Sequence, residues 1–551
     1  GLLSAGLLVA ADPPSPPRRG MAATGQPLAT QAALRMLQNG GHAVDAAVAA
    51  GLTLGVVDGH NSGLGGGCFL LMRLADGQVI AIDGRETAPT AATRDMYLRN
   101  GRVDPQLSRT GPLAIAVPGA LAAYHHAAKN HGRKPMAESL AAAADLAGEG
   151  FRIDAHYAGR LTAEAGDLAE FPASRTIFLD PAGSPLKEGQ TLRQPDLATT
   201  YRAIAREGIA WFYEGPFASA TAKWMRENGG LLTMEDFKNY EAKERRPVRS
   251  WYRGHEILGF PPPSSGGVHV AQILNLLELL DVNSLDTEPA QFIHLAAESM
   301  KLAFADRAHW LGDPDFAPVP RGLISKEYAR ELARRIDPDR AVKVPGHSLP
   351  PSAAGDVFGG HTTHFSVADA EGNWVACTAT INTSFGSKVV IPGTGVVMNN
   401  EMDDFSAQPG VANYFGLVGA EANSVEPGKR PLSSMAPTIV LRDGKPILAL
   451  GAAGGPTIIS QTVLSILHVL DADRHPDAAL GQPRFHHQWR PDVLRMEAGF
   501  PEGIVRALTE KGHTVEQVGT MGATQMVGWD SGTEAFTGAA DPRRTGFAAG
   551  W

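Results

Sequence analysis

The sequence predicts a layered α/β protein, and three observations favour that class. Residues 29–57 are rich in alanine and leucine with an Asn-Gly-Gly-His break at 39–42, which indicates two helices. Residues 113–245 have mostly helical patterns. From residue 361 the pattern changes to strands, and a helix returns at about 458–470. Strands bracketed by helices are typical of stacked helix and sheet layers.

Three hairpins are predicted along the chain. Residues 361–386 alternate between two faces up to a turn at 370–373, residues 61–89 join a glycine loop to a hairpin with its turn at 75–78, and residues 438–455 contain an Asp-Gly turn. The stretch PPPSSGGVHVAQILNLLELL at 261–280 predicts a rigid loop that leads into an amphipathic helix. The least periodic stretch, 338–360, ends just before the first of these hairpins.

The bulk composition excludes several classes of function. The 551 residues are 43% hydrophobic and 19% charged, which is ordinary for a globular protein with a large core. A net charge of −9 argues against a nucleic-acid or anionic-membrane surface, because either would need basic patches. No apolar run is long enough to predict a membrane-spanning helix.

No metal or cofactor is expected. The two cysteines, Cys68 and Cys377, lie far apart, and neither CxxC nor HExxH occurs. The paired histidines at 125–126 and 486–487 are adjacent, which is the wrong spacing for one helical face. Cysteine scarcity suits either a cytosolic or an exported bacterial protein.

The opening GLLSAGLLVAADPPSPPRRG resembles the end of a signal-peptide core followed by a leader, so residues 1–20 are expected to be an export remnant. A flexible N-terminal tail is the alternative. On the first interpretation the protein is periplasmic or secreted.

Short motifs suggest two enzyme classes, a dinucleotide-binding enzyme and a serine hydrolase, and the sequence supports neither. NSGLGGGCFLL at 61–71 invites a dinucleotide-binding interpretation, but helical sequence precedes the loop and strand-like sequence follows, which reverses the required order. The glycines are therefore expected to permit close chain packing. A serine hydrolase would need a G-x-S-x-G elbow, and none is present. The serine pairs at 264–265 and 433–434 are ordinary in loops.

Thr362, at the start of the 361–386 hairpin, could act as a nucleophile if the bond after His361 were cut. Its new α-amine would have a pKa of about 7.7–8.0, and could take the proton of its own hydroxyl. The competing interpretation is structural, because threonine favours strands and hydroxyl pairs across strands are common.

Eleven motifs in order resolve these alternatives. They are GMAAT, NGGHAVDAAVA, SGLGGG, DGRETAP, PPPSSGG, DRAHWLGDPDF, TTHFSV, TINTSFG, MNNEMDDFS, RPLSSMAPTIV and GAADPRR. From about Gly20 to Trp551 the chain resembles the gamma-glutamyltranspeptidase family of N-terminal nucleophile hydrolases. That resemblance implies a four-layer αββα sandwich formed jointly by a large subunit, 21–361, and a small subunit, 362–551, after self-cleavage before Thr362.

The resemblance also implies roles for individual residues. Thr362 would be the nucleophile, with Thr380 bonding near its amine. Arg85 would grip the α-carboxylate of the donor, a task suited to a bidentate guanidinium, and Ser433 and Ser434 would add hydroxyl donors.

The remaining roles concern the other ends of the donor. Asn382, Glu401 and Asp404 would surround the α-ammonium group. The backbone N–H groups of Gly454 and Gly455 would form an oxyanion hole. Taken singly, each residue could instead have a purely structural role. Arg85 could form a surface ion pair, and Asp403 and Asp404 could cap a helix.

This chain departs from the family pattern at two places. Pro456 and Thr457 stand where many relatives have a serine and an arginine after the two glycines, and Phe415, in a loop long enough to cover the pocket, stands where lidded relatives often have tyrosine. The implied function is transfer of a γ-glutamyl group from amides such as glutathione to water, an amino acid or a dipeptide. A cephalosporin or glutaryl acylase of the same family, or a non-catalytic binding protein, are the alternatives.

Overall fold

The computed structural model of the chain describes residues 19–280, 285–351 and 364–551. Its helices are α1 (Pro27–Gln38), α2 (Ala43–Val57), α3 (Gln106–Arg109), α4 (Ala120–His131), α5 (Met136–Glu149), α6 (Ala155–Ala169), α7 (Pro172–Phe178), α8 (Pro195–Glu207), α9 (Ala210–Tyr213), α10 (Pro216–Asn228), α11 (Met234–Lys238), α12 (Gly266–Leu279), α13 (Pro289–Trp310), α14 (Lys326–Ala333), α15 (Thr457–Leu470), α16 (Pro476–Gly481) and α17 (Glu502–Glu510).

The strands are β1 (Gly20–Thr24), β2 (Gly67–Arg73), β3 (Val79–Gly84), β4 (Leu98–Arg99), β5 (Arg102–Val103), β6 (Phe151–Arg152), β7 (Thr191–Leu192), β8 (Lys243–Arg245), β9 (Val248–Tyr252), β10 (His255–Gly259), β11 (Phe365–Asp369), β12 (Trp374–Thr380), β13 (Thr438–Arg442), β14 (Lys445–Ala453), β15 (Phe485–His486), β16 (Leu494–Glu497), β17 (Val515–Val518), β18 (Ala523–Asp530), β19 (Ala535–Ala540) and β20 (Phe547–Gly550).

Two large antiparallel sheets form the centre of the molecule. The first has seven strands in the order β20-β1-β11-β12-β2-β3-β8, and the second has six in the order β19-β18-β14-β13-β10-β9. In both sheets, strands from before residue 351 pair with strands from after residue 364: β1 lies between β20 and β11, β12 pairs with β2, and β10 pairs with β13. The two parts of the chain therefore interleave throughout the core.

The alternation of side chains along the strands explains the layering. On β2, Cys68, Leu70 and Met72 pack into an apolar cluster with α2 and α4. Phe69 and Leu71 point the other way, into a cluster shared with the second sheet. The Phe69 ring stacks on that of Phe260, with 4.7 Å between centroids.

The second sheet repeats this arrangement. Leu448 and Leu450 of β14 pack with α12, α13 and α15, whereas Ala449 faces the first sheet. The order of layers is thus helix, sheet, sheet, helix, which confirms the αββα sandwich that the resemblance implied.

Most local predictions are confirmed. The two helices of 29–57 are α1 and α2, the three predicted hairpins are β2–β3, β11–β12 and β13–β14, and the helix after PPPSSGG is α12. Segment 113–245 is mostly helical but also contains the short strands β6, β7 and β8.

The glycine loop before β2 packs closely against other segments of the backbone, as predicted. A Cβ on Gly65 would lie 2.0 Å from the Val397 carbonyl oxygen, and one on Gly66 would lie 1.9 Å from that of Thr380. Among the described residues, no helix is both long enough and apolar enough to cross a bilayer.

Candidate active site

A cavity of about 210 Å³ opens where the ends of β12 and β14 meet the loops that follow them. It brings together most of the residues singled out from the sequence. Its lining comprises Asn61, Arg160, Arg307, Thr380, Asn382, Thr383, Ser384, Glu401, Asp404, Tyr414, Phe415, Leu417, Ser433, Ser434, Ala453, Gly454, Gly455, Ile458 and Arg544.

Arg85 lies directly behind this lining, at the end of β3. Its side chain is fully buried, so the alternative of a surface ion pair is wrong. Nη2 donates to Asp404 Oδ2 at 2.7 Å, Nη1 donates to Glu401 Oε1, and Nε donates to the Pro431 carbonyl oxygen at 3.2 Å. Arg85 therefore holds the two acidic side chains that form the cavity wall.

The acids belong to a short 3-10 turn, Glu401–Asp404, rather than to the cap of an α-helix. Burial raises the pKa of Glu401 well above its usual value and raises that of Asp404 as well, although the Arg85 charge opposes both shifts. Glu86, also beside Arg85, has its pKa raised by burial to about 8. Three carboxyl groups thus compete for one guanidinium, and a cationic ligand beside them would favour their charged forms.

Two serines form the adjoining wall. Ser433 and Ser434 follow Arg430 in a buried loop that packs on the PPPSSGG loop, where the Ser265 N–H donates to the Ser433 carbonyl oxygen at 3.0 Å. Ser434 Oγ is buried and has no hydrogen-bond partner among the described residues. Buried polar atoms of this kind need an explanation, and a bound polar ligand supplies one.

Gly454 and Gly455 lie between the end of β14 and the first turn of α15. Their φ angles are +136° and +58°, a backbone that favours glycine. Within the described part of the chain, neither N–H donates a hydrogen bond. Because the N-terminus of a helix carries partial positive charge, these two groups are suited to stabilise an oxyanion.

Phe415 covers Gly455 from the loop predicted to be a lid. A Cβ on Gly455 would lie 2.6 Å from Phe415 Cδ1. The loop is held by Gln488, whose Nε2 donates to the carbonyl oxygens of Phe415 and Gly416 at 3.2 Å each. It is also tied to the acidic turn, because the Tyr414 N–H donates to Asp403 Oδ2 at 2.9 Å.

Thr380 and Asn382 lie at the end of β12. Thr380 Oγ1 accepts the Asn382 N–H at 2.7 Å, and Asn382 Nδ2 donates to the Asn400 carbonyl oxygen at 3.0 Å. The candidate nucleophile Thr362 and the preceding His361 lie outside the described residues. The chain is described again from His364, and Phe365 pairs with Cys377, on the same strand as Thr380.

Ten of the lining residues were not assigned a role from the sequence, and they include one asparagine and three arginines. Asn61 belongs to the glycine loop, Arg160 to α6, Arg307 to DRAHWLGDPDF and Arg544 to GAADPRR. Arg307 and Arg544 lie inside motifs recognised in the sequence, so those motifs could have pointed to both residues. Arg160 stands in no recognised motif.

Among the described residues, two groups of side chains have a geometry that could hold a metal ion, namely His126, His131 and Glu244, and His294, Glu298 and His513. None of the six lines the cavity. In the second group both nitrogens of His294 are already bonded at 2.8 Å, to His513 Nε2 and to the Asp337 carbonyl oxygen.

The cavity thus combines acid, hydroxyl and backbone N–H groups. The carboxyl groups of one wall are suited to bind an ammonium group, and the Ser434 hydroxyl is suited to bind a carboxylate. The N–H groups of Gly454 and Gly455 are suited to stabilise a carbonyl oxygen that gains negative charge during acyl transfer.

Comparisons with known proteins agree with this geometry. The sequence model of the gamma-glutamyltranspeptidase family matches residues 29–551. The chain is 42% identical to the glutathione hydrolase proenzyme of Escherichia coli (strain K12), over 97% of this chain and 94% of that protein. It is 39% identical to the acylase ACY 1 proenzyme of Pseudomonas sp. (strain SE83), over 91% of this chain and 88% of that one.

A solved structure is similar over the full length. The cephalosporin acylase from Bacillus halodurans superposes with a TM-score of 0.86 at 29% identity and covers 99% of both chains. With a family match over nearly the whole chain and relatives near 40% identity, this protein belongs to the gamma-glutamyltranspeptidase family.

Proposed function

We propose that the protein is a γ-glutamyltransferase and glutathione hydrolase that cleaves γ-glutamyl amides through an ester on Thr362. The observation that carries the proposal is the cavity itself, which is lined both by the acidic pair Glu401 and Asp404 and by two glycines at a helix N-terminus. The backbone N–H groups of these glycines donate to no described residue. Family membership supports the same chemistry.

The proposed reaction has two halves. The Thr362 hydroxyl attacks the γ-carbonyl carbon while its own α-amine takes the proton, and the negative oxygen is stabilised by the N–H groups of Gly454 and Gly455. The C–N bond then breaks, the leaving amine takes the proton, and a γ-glutamyl ester remains. Water or the amine of an amino acid or dipeptide attacks that ester and frees Thr362.

The donor is proposed to lie with its α-ammonium group against Asn382, Glu401 and Asp404. Its α-carboxylate would lie against Ser433 and Ser434, with Arg85 behind the wall. Phe415 would act as the lid. Because Arg85 is already bonded to both acids, a direct contact with the donor would require it to share those bonds.

The proposed active form consists of two paired subunits, 21–361 and 362–551, cut between His361 and Thr362. We propose that residues 1–20 are a leader and that the protein is periplasmic or secreted. Cell fractionation with antibody detection would test the location.

A chromogenic γ-glutamyl anilide tests the activity. Release of the aniline with glutamate as co-product is expected in water, and a γ-glutamyl dipeptide should appear as well when glycylglycine is added. Absence of release by cleaved protein would contradict the proposal.

An acylase is the second candidate, because two of the similar proteins are named acylases. A glutaryl side chain lacks the α-ammonium group of a γ-glutamyl donor. With a glutaryl amide bound, Glu401 and Asp404 would have only the Arg85 charge to offset the cost of their burial. The acidic wall therefore favours the γ-glutamyl donor.

The substitution Asp404→Asn is expected to reduce the preference for γ-glutamyl amides over glutaryl amides. A hydrogen bond to a charged group contributes about 1.5–3 kcal/mol, so kcat/KM for a γ-glutamyl amide should fall roughly 10- to 150-fold relative to a glutaryl amide. The measurement is kcat/KM for both amides in wild type and variant. An unchanged ratio would show that Asp404 does not contact the ammonium group, and would favour the acylase.

A further inference from the structure

Arg307 is a buried cation that the roles proposed above leave unused. It lies on α13, is 4% exposed, and lines the cavity. Its Nε donates to Ser265 Oγ at 2.9 Å. Neither terminal nitrogen of the guanidinium donates a hydrogen bond to a described residue.

Within the described ranges, Arg307 also lacks an acidic partner. No carboxylate oxygen of the described residues lies within 4.0 Å of its guanidinium nitrogens. Asp404 is the acid that acts on it through space, but Asp404 is bonded to Arg85. Burial lowers the pKa of Arg307 to about 10, so the side chain remains charged at neutral pH.

Other buried arginines of the molecule are paired. Arg85 contacts Glu401 and Asp404, and Arg430 contacts Asp83 at 2.5 Å. A buried charge without a counter-charge is costly in an apolar interior. An unpaired guanidinium on a cavity wall is therefore a site for an anion that arrives from the cavity.

Ser265 positions the Arg307 guanidinium beside the loop that carries Ser433 and Ser434. Its Oγ accepts from Arg307 and donates to the Ser433 carbonyl oxygen at 2.5 Å, and its N–H donates to the same oxygen. Arg307 is thus tied to the loop that carries Ser433 and Ser434, the wall that offers hydroxyl donors.

We propose that Arg307 is a donor-binding residue whose guanidinium pairs with the α-carboxylate of the substrate beside Ser433 and Ser434. The inference rests on the proposed function and adds to it. Arg85 is already bonded to Glu401 and Asp404, whereas neither terminal nitrogen of Arg307 donates to a described residue. The donor's ammonium and carboxylate groups then meet opposite charges on neighbouring walls.

The test compares a γ-glutamyl anilide with its α-carboxamide analogue, which has nearly the same shape and keeps the α-ammonium group but lacks the carboxylate charge. In Arg307→Gln, kcat/KM for the acid should fall roughly 10- to 150-fold relative to the amide, mainly through KM. Arg307→Lys keeps the charge and should recover part of this loss. Arg202→Gln, which removes an exposed arginine on α8 paired with Asp145, should leave the ratio unchanged.

Ser265→Ala provides a second variant if Arg307→Gln does not fold. It removes only the hydroxyl that orients the guanidinium, and should raise KM for the acid more than for the amide. An unchanged ratio, or equal losses for both substrates, would overturn the role of Arg307 while the activity of the wild type upholds the proposed function. A wild type that releases no aniline would overturn both.

Discussion

Thr362→Ala should remain a single chain without measurable γ-glutamyl transfer, whereas the wild type should separate on a denaturing gel into one fragment that ends at His361 and one that begins at Thr362. The variant lacks the hydroxyl that would attack the His361 carbonyl carbon, and with it the nucleophile for the donor. Both the cut and the turnover depend on that one oxygen, so this substitution has the largest expected effect. Mass spectrometry of the purified protein measures the cut.

Thr362→Ser is the matched control, because it keeps a hydroxyl and an α-amine. It should be cut and retain part of the activity. Thermal unfolding of the uncut alanine variant should be cooperative, which separates loss of chemistry from loss of fold. Efficient splitting or full activity of Thr362→Ala would remove the nucleophile assignment.

Gly455→Val should slow formation of the ester roughly 10²–10³-fold, or about 2.7–4 kcal/mol, the effect of losing one oxyanion donor. The φ of +58° is one that valine rarely adopts, and its Cβ would meet the Phe415 ring at 2.6 Å. The backbone N–H must therefore move away from the carbonyl oxygen. Single-turnover release of aniline by fully cut protein measures this step.

Two further variants separate the oxyanion donor from the lid. Gly455→Val combined with Phe415→Ala removes the clash but leaves the backbone strain, so the slow step should persist. Gly410→Val places the same residue at a φ of +83° in the covering loop, with nothing within 4 Å, and should have a much smaller effect. Near-normal turnover in both Gly455 variants would remove the oxyanion assignment.

The sequence predicted the local elements well because each depended on nearby residues. The Asp-Gly turn between β13 and β14 and the Asn-Gly-Gly-His break between α1 and α2 are short-range signals. The order of strands was not accessible in this way, since the pairing of β1 with both β11 and β20 joins segments hundreds of residues apart. The order of the helix and sheet layers was predicted only through the family resemblance.

The site shows the same division. Residue type and motif predicted that Arg85, Glu401, Asp404 and the serine pair would gather, and the structure places them on or behind one cavity. Their mutual hydrogen bonds could not be predicted, because the competition of three acids for one guanidinium depends on burial and distance. Arg307 was overlooked for the same reason, since only the missing counter-charge distinguishes it from a structural arginine.

The interleaved sheets have a consequence for biosynthesis. Strand β1, near the start of the described chain, lies between β11 and β20, and β20 ends at residue 550. The seven-stranded sheet therefore cannot be completed before the residues of β20 have been synthesised. If self-cleavage needs the assembled cavity, a chain that stops short of β20 stays uncut. The cut chain would then record that a molecule was synthesised through β20 and folded.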